Sequence, residues 1–287
     1  MANYQIITDS ACDLPKAMLQ QLNVSSFPLT VLFRGENLQD SVDEGLQEIY
    51  AGLRNGEATS TSAINPDGWA SIIEPVLARG EDALVLAFSS GLSTTYQSAV
   101  IAADDLREKY PERKIMVVDT LCAALGQGLL VWYTCKQRDA GMELEQLAAW
   151  VEGNKLSVCH WVTVNDLMHL KRGGRINATT AVVGTMLQIK PIIHVNDEGK
   201  LISVGKARGR KAALQVLVDK MKELGEGFDN HTVFITHGDC LEDGMMLKEM
   251  VLQQTEAKEV FVGNLGAVIG SHAGPGTLAL FFLGKHR

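Results

Sequence analysis

Five cysteines in 287 residues (Cys12, Cys122, Cys135, Cys159 and Cys240) are odd in number, scattered, and free of any C-x-x-C pair. They suggest neither a disulfide framework nor a cysteine zinc site, and a reducing compartment suits them. No run of about 18 uninterrupted apolar residues occurs, which argues against a spanning helix. The opening Met-Ala-Asn-Tyr-Gln-Ile-Ile-Thr-Asp-Ser has neither a basic n-region nor an apolar h-region. A cytoplasmic protein with transient or no membrane contact is therefore expected. An excess of positive charge is also missing: 34 acidic against 26 basic side chains give a net charge of -8. That balance argues against nonspecific attraction to nucleic acid, so no nucleic-acid partner is expected. There is no G-x-x-x-x-G-K-[ST] phosphate loop, His160 and His169 lack zincin spacing, and Gly126-Gln127-Gly128 is only a fragment of a dinucleotide fingerprint. No metal site and no cofactor are expected, and the two glycines are read as allowing close helix packing.

What is present is ordinary for a folded chain: 46 % hydrophobic and 21 % charged residues, without repeats or low-complexity segments. The length favours two domains. Strands are expected at Tyr4 to Thr8, Phe27 to Phe33, Ala83 to Phe88 and Ile115 to Asp119. Helical spacing of apolar residues lies between and after them, with Asp13 as a plausible N-cap of the first helix. Strand and helix alternating in this way imply a parallel sheet. Gly153-Asn154 is a sensible junction, giving an N-terminal α/β domain over 1–154 and a C-terminal one over 155–287. Expected strands in the second half are Val158 to Val164, Pro191 to Val195, Leu201 to Val204, Thr232 to Thr236 and Glu259 to Val262. The turn signal Asn196-Asp197-Glu198-Gly199 between two of them makes that sheet mixed. The fold class is thus α/β, a parallel-sheet unit followed by a mixed-sheet unit.

Four segments crowd glycines, hydroxyls and charges at expected strand ends, where open α/β sheets place ligands. They are Thr59 to Ser62, Ser89 to Tyr96, Lys171-Arg172-Gly173-Gly174-Arg175, and Gly270 to Gly276. Ser93, Thr94 and Thr95 open a helix, so they serve either as caps or as an anion site of hydroxyls and free N–H groups. The Lys171 to Arg175 segment reads as a solvated basic turn or as a seat for a carboxylate or phosphate. His272, framed by Gly270, Gly274 and Gly276, reads either as a structural hydrogen-bonder or as an imidazole exposed at a turn, where it could reach a ligand oxygen.

Taken in order, these segments resemble the DegV family of bacterial fatty-acid-binding proteins, which includes the FakB proteins that present acyl chains to a fatty acid kinase. Thr8-Asp9-Ser10-Ala11-Cys12-Asp13-Leu14-Pro15 resembles the family's T-D-S-x-x-D-L-P opening, and Thr61-Ser62 its T-S motif. Ser89 to Ala99 resembles S-S-x-L-S-G-T-Y-x-S-A, Leu167 to Ile176 the segment ending R-G-G-R-I, and Gly270 to Thr277 the closing G-x-H-x-G-P-G-T. Thr94 departs from the family by standing where glycine is usual, which is tolerable only at negative φ. The resemblance implies a two-domain α/β carrier, not an enzyme, that holds a long-chain fatty acid such as palmitate or oleate. Thr61, Ser62, Ser93, Thr94 and His272 would meet its carboxylate, with Arg172 nearby. Lys171, Gly173, Gly174 and Arg175 would lie further out, toward the acyl phosphate and the kinase's catalytic subunit in lipid synthesis. No catalytic residue and no metal is implied.

Two other readings of the residues stay open. Ser93 as nucleophile with His272 as base would make an esterase or thioesterase, although the segment lacks the second glycine of a G-x-S-x-G elbow. Lys171, Arg172 and Arg175 could instead bind a hydrophilic phosphate, which would give no reason for a large apolar pocket.

Overall fold

The computed structural model describes residues 3–165, 167–176, 188–285 and 287. The first seven strands are Tyr4–Asp9 (β1), Val24–Phe27 (β2), Thr30–Phe33 (β3), Glu36–Gln39 (β4), Thr59–Ser62 (β5), Asp82–Ala87 (β6) and Ile115–Asp119 (β7). Among them run Lys16–Gln21 (α1), Leu46–Arg54 (α2), Pro66–Ala78 (α3) and Thr95–Lys109 (α4), followed by Ala124–Asp139 (α5) and Leu144–Asn154 (α6). Strands β2-β1-β6-β7 form a wholly parallel sheet. Continuous apolar runs such as Ala83 to Phe88 arise because both faces are covered. Ala83, Val85 and Ala87 pack with Trp69 and Ile73 of α3 and Ala99 and Ala102 of α4, whereas Leu84 and Leu86 face Leu125 and Leu129 of α5 and Leu147 of α6.

The expected strand at Phe27 to Phe33 is in fact two. Pro28 has no N–H to donate, and the chain leaves the parallel sheet there to start a small antiparallel sheet, β4-β3-β5. Arg34 (φ 50°) and Gly35 (φ 84°) make the tight turn between β3 and β4, the double positive φ that matches strand twist. Asp13 is not the cap of α1. It sits buried in the left-handed region (φ 54°) after a 3-10 turn over Ser10–Cys12, and Pro15 precedes the helix.

The second half supplies Val158–Thr163 (β8), Ile189–Val195 (β9), Leu201–Arg208 (β10), Thr232–His237 (β11), Glu259–Asn264 (β12) and Leu278–Leu283 (β13). Its helices are Met168–Arg172 (α7), Arg210–Leu224 (α8), Leu241–Gln254 (α9) and Ala267–Ala273 (α10). The six strands form one mixed sheet, β10-β9-β8-β13-β11-β12, with the expected hairpin joining β9 to β10. Helices α8 and α9 cover one face through Leu214, Leu217, Leu247 and Val251. On the other face Phe234, Phe281 and Ile193 join the cluster of Leu125 and Leu129, so α5 is packed between the parallel sheet and the mixed one. Gly126 and Gly128 permit this. A Cβ at Gly126 would lie 2.1 Å from His160 Nε2, and one at Gly128 2.6 Å from the Cys12 carbonyl oxygen.

Candidate functional site

On the α5 side of the mixed sheet lies a cavity of about 440 Å³, lined from both halves of the chain. Its floor is the inward-facing set of strand residues, among them Val162, Ile193, Ala279 and Phe281. Leu265, Val268, Ile269 and Ala273, on and just before α10, face it, and Leu29, Phe88 and Leu92 add apolar wall from the first half. Size and lining fall in the range of small-molecule sites.

Polar groups gather where α10 meets β5. Thr61 Oγ1 and His272 Nε2 share a hydrogen bond at 2.8 Å. Thr61 reaches the cavity because β5 pairs with β3 in a register that sets Thr61 opposite Val31. His272 is not on an exposed turn: it is partly buried on α10, and the glycines around it serve packing. A Cβ at Gly270 would come 2.4 Å from Tyr50 Oη, one at Gly173 2.3 Å from His272 Nδ1, and Gly274 (φ 83°) stops the helix against His169. The start of α10 is tied to the first half, since Asp40 accepts the Val268 N–H at 3.0 Å and Tyr50 donates to the Leu265 carbonyl at 2.9 Å.

Burial, and then the nearby Arg175 cation, push the His272 imidazole down to about 4, so it is neutral around pH 7. Arg175 lines the cavity and reaches across to the first half, donating Nε–H to the Leu92 carbonyl at 3.2 Å and Nη1–H to the Gly173 carbonyl at 2.6 Å. Both of these partners are backbone carbonyls. A guanidinium held by backbone carbonyls beside a neutral imidazole and a threonine hydroxyl can bind the anionic end of a ligand with charge-assisted hydrogen bonds.

Thr61, Ser62, Ser93, Thr94, Arg175 and His272 all line this cavity, whereas Lys171, Arg172, Gly173 and Gly174 are not among its lining residues. The resemblance implies Arg172 near the carboxylate and Arg175 further out; in the structure Arg175 lines the cavity and Arg172 does not. Arg172 is exposed on the short helix α7, 3.3 Å from His169 Nδ1, while the turn after it, with Gly174 at φ 69°, brings Arg175 back toward the cavity. Thr94 has φ -81°, so a residue with a side chain is unstrained there. Ser93 Oγ lies 2.8 Å from Thr95 Oγ1 and accepts the Thr95 N–H at 3.3 Å. With Ser93 engaged by Thr95 and His272 by Thr61, no Ser93–His272 hydrogen bond is formed. Among the described residues no group of three or more His, Cys, Asp or Glu could hold a metal ion, and no helix is long and apolar enough to cross a membrane.

Sequence reasoning did not find the apolar walls or His160. That imidazole is fully buried on β8, takes the Ala123 N–H at 3.2 Å and gives its other nitrogen to the Val158 carbonyl at 2.8 Å. Burial holds it down at about 3. The one available signal was the inward-facing alternation along β8 and β13.

Fold and cavity together define an α/β protein with a mostly apolar ligand site lined from both of its halves. The chain belongs to the DegV family, whose model, described as an uncharacterised protein family, matches residues 3–285. It is 43 % identical over 286 residues to the DegV domain-containing protein CPE0026 of Clostridium perfringens, covering 99 % of this chain and 98 % of that one. Among solved structures it is similar to a fatty-acid-binding DegV family protein from Thermus thermophilus, with a TM-score of 0.88, 32 % identity, and 98 % and 99 % of the two chains covered. A stearic-acid-binding protein from Eubacterium ventriosum superposes with a TM-score of 0.88 at 27 % identity, covering 98 % of each chain.

Proposed function

We propose that this protein is a carrier that binds one long-chain fatty acid, its tail in the apolar cavity and its carboxylate at Thr61, His272 and Arg175, with Ser62, Ser93 and Thr94 alongside. The observation that carries the reading is a cavity whose polar groups collect around the Thr61–His272 hydrogen bond while its sheet floor is almost wholly apolar. The fatty-acid-binding relatives of the same fold support it. At roughly 0.8 kcal/mol per buried CH₂, a tail of about fourteen methylenes offers on the order of 11 kcal/mol before ordering costs. Affinity then comes from the tail and orientation from the head. Mass spectrometry of lipid extracted from gently purified protein tests this. One C14 to C18 fatty acid per chain is the expected result, and a protein that stays empty after incubation with palmitate, oleate and stearate refutes it.

In the same reading the protein presents the carboxylate to a separate fatty acid kinase, whose bound nucleotide supplies the phosphoryl group. A carboxylate oxygen attacks the terminal phosphorus, the nucleoside diphosphate leaves, and the carrier shields the acyl phosphate from water. Lys171 and Arg172, exposed on α7 just before Gly173, are the groups we assign to that partner. Lys171→Glu together with Arg172→Glu should leave fatty acid binding intact and lower acyl phosphate formation by an added kinase. Unchanged turnover would remove the assignment.

A further inference from the structure

We propose that the cavity selects acyl chains carrying an oxygen substituent, held by the hydroxyl of Thr236; the proposal rests on the fatty-acid reading and deepens it. Across the cavity floor one register row runs Thr236 on β11, Ala279 on β13, Val162 on β8 and Ile193 on β9. All four line the cavity, and Thr236 is the polar member. It is fully buried, and its Oγ1 has no hydrogen-bond partner among the described residues. A buried hydroxyl without a partner costs free energy that a methyl group of the same shape does not. The row itself uses β-branched apolar residues at Val162 and Ile193, so valine at 236 would suit the strand and the floor equally well.

The neighbours of Thr236 in the sheet are small. In register, Thr236 stands between Ala279 on one side and Gly263 on the other, two of the smallest side chains a strand can present. Of the other polar groups lining this cavity, His272 is engaged with Thr61, Ser93 with Thr95, His160 with Ala123 and Val158, Thr277 with the carbonyls of Ala273 and Gly274, and Arg175 with the carbonyls of Leu92 and Gly173, while Ser62, Ser90 and Thr94 also line it away from the β11 row. Thr236 is therefore a polar point on an apolar floor, outside the cluster around His272, that can donate to or accept from an oxygen on the chain. The ligand class this fits is a straight-chain hydroxy or oxo fatty acid.

The test is competition binding of stearate and a positional series of hydroxystearates to the wild type, Thr236→Val and Thr236→Ser, with folding checked by thermal melts. At least one positional isomer should bind the wild type as tightly as stearate or more so. Thr236→Val should weaken that isomer by about 2- to 13-fold, the span of one hydrogen bond, while leaving stearate unchanged or tighter, and Thr236→Ser should restore the preference. The proposal is overturned if stearate binds but every hydroxystearate is weaker in the wild type and in Thr236→Val alike, as when the hydroxyl binds only an ordered water. Failure of stearate and all its derivatives to bind would instead strike down the fatty-acid reading, and this proposal with it.

Discussion

Replacing His272 by glutamine should flatten the acid limb of the protein's stability in a calculable way. His272 sits at about 4 in the fold, lowered from 6.5 first by burial and then by Arg175. Between those values the unfolded chain binds a proton at this position and the folded chain does not, so stability falls as pH falls from 6.5 toward 4. At about 1.4 kcal/mol per unit, lowering the pH from 7.5 to 4.5 removes about 2–3 kcal/mol through this one side chain. Other groups act over the same range. His160, at about 3, works in the same direction, whereas Asp9, raised by burial to about 7, works the opposite way and adds stability as pH falls. The total curve therefore isolates nothing, but the difference between wild type and His272→Gln does. Glutamine can keep a hydrogen bond to Thr61 without titrating. Urea unfolding of the ligand-free proteins at the two pH values should show the wild type losing about 2–3 kcal/mol more than the variant. Parallel losses would refute the placement of a neutral, desolvated imidazole at 272.

Arg175→Met removes the second cause of that shift, so the His272 proton resonance should titrate closer to 6.5, and fatty acid affinity should fall about tenfold or more with the loss of a charge-assisted hydrogen bond. Unchanged values in both NMR titration and calorimetry would take Arg175 out of the head-group site. Gly173→Ala puts a Cβ 2.3 Å from His272 Nδ1, so His272 must shift; fatty acid binding should weaken while the melting temperature stays within a few degrees. Gly126→Ala puts a Cβ 2.1 Å from the buried His160, where the neighbours are core rather than solvent. Here the cost should appear as stability, about 1–3 kcal/mol in a denaturation curve, and an undiminished midpoint would contradict the packing of α5 on β8.

Most of the parallel sheet was legible because a strand covered on both faces needs a continuous apolar run and an amphipathic helix leaves a 3.6-residue period. Ala83 to Phe88 and Thr95 to Lys109 carry those marks plainly. β13 carries one too, in Leu-Ala-Leu-Phe-Phe-Leu, yet went unread beside the glycine-rich segment before it, although it is a central strand of the mixed sheet. The short elements were hidden for a different reason. β5 is Thr-Ser-Thr-Ser, with no apolar alternation, and it exists because β3 pairs with it. α10 is seven residues with a glycine inside it and one at each cap, and what holds it is Asp40 and Tyr50 from the other half of the chain. The residue types lining the polar end of the cavity were readable from motifs, but which of Arg172 and Arg175 reaches the cavity was not, because it depends on one helical turn and a glycine at φ 69°.

Those tertiary supports make the polar end of the cavity a joint product of the two halves. Thr61 and Leu92 come from the first, His272 and Arg175 from the second, and each polar contact between them spans the cavity end rather than lying within one half. Ser89 extends the same pattern, donating its hydroxyl to the Gly199 carbonyl in the β9–β10 turn at 2.8 Å. On the proposed carrier reading, a tail against the mixed sheet and a head at β5 and α10 would touch both halves at once. Binding should draw its free energy partly from fixing their docking, since a ligand stabilises whatever state binds it best. Separation of the halves would break the Thr61–His272 and Arg175–Leu92 bonds together and open the head-group end first. On that reading the carboxylate, and not the ω-end of the chain, would be the part a partner meets when the halves loosen.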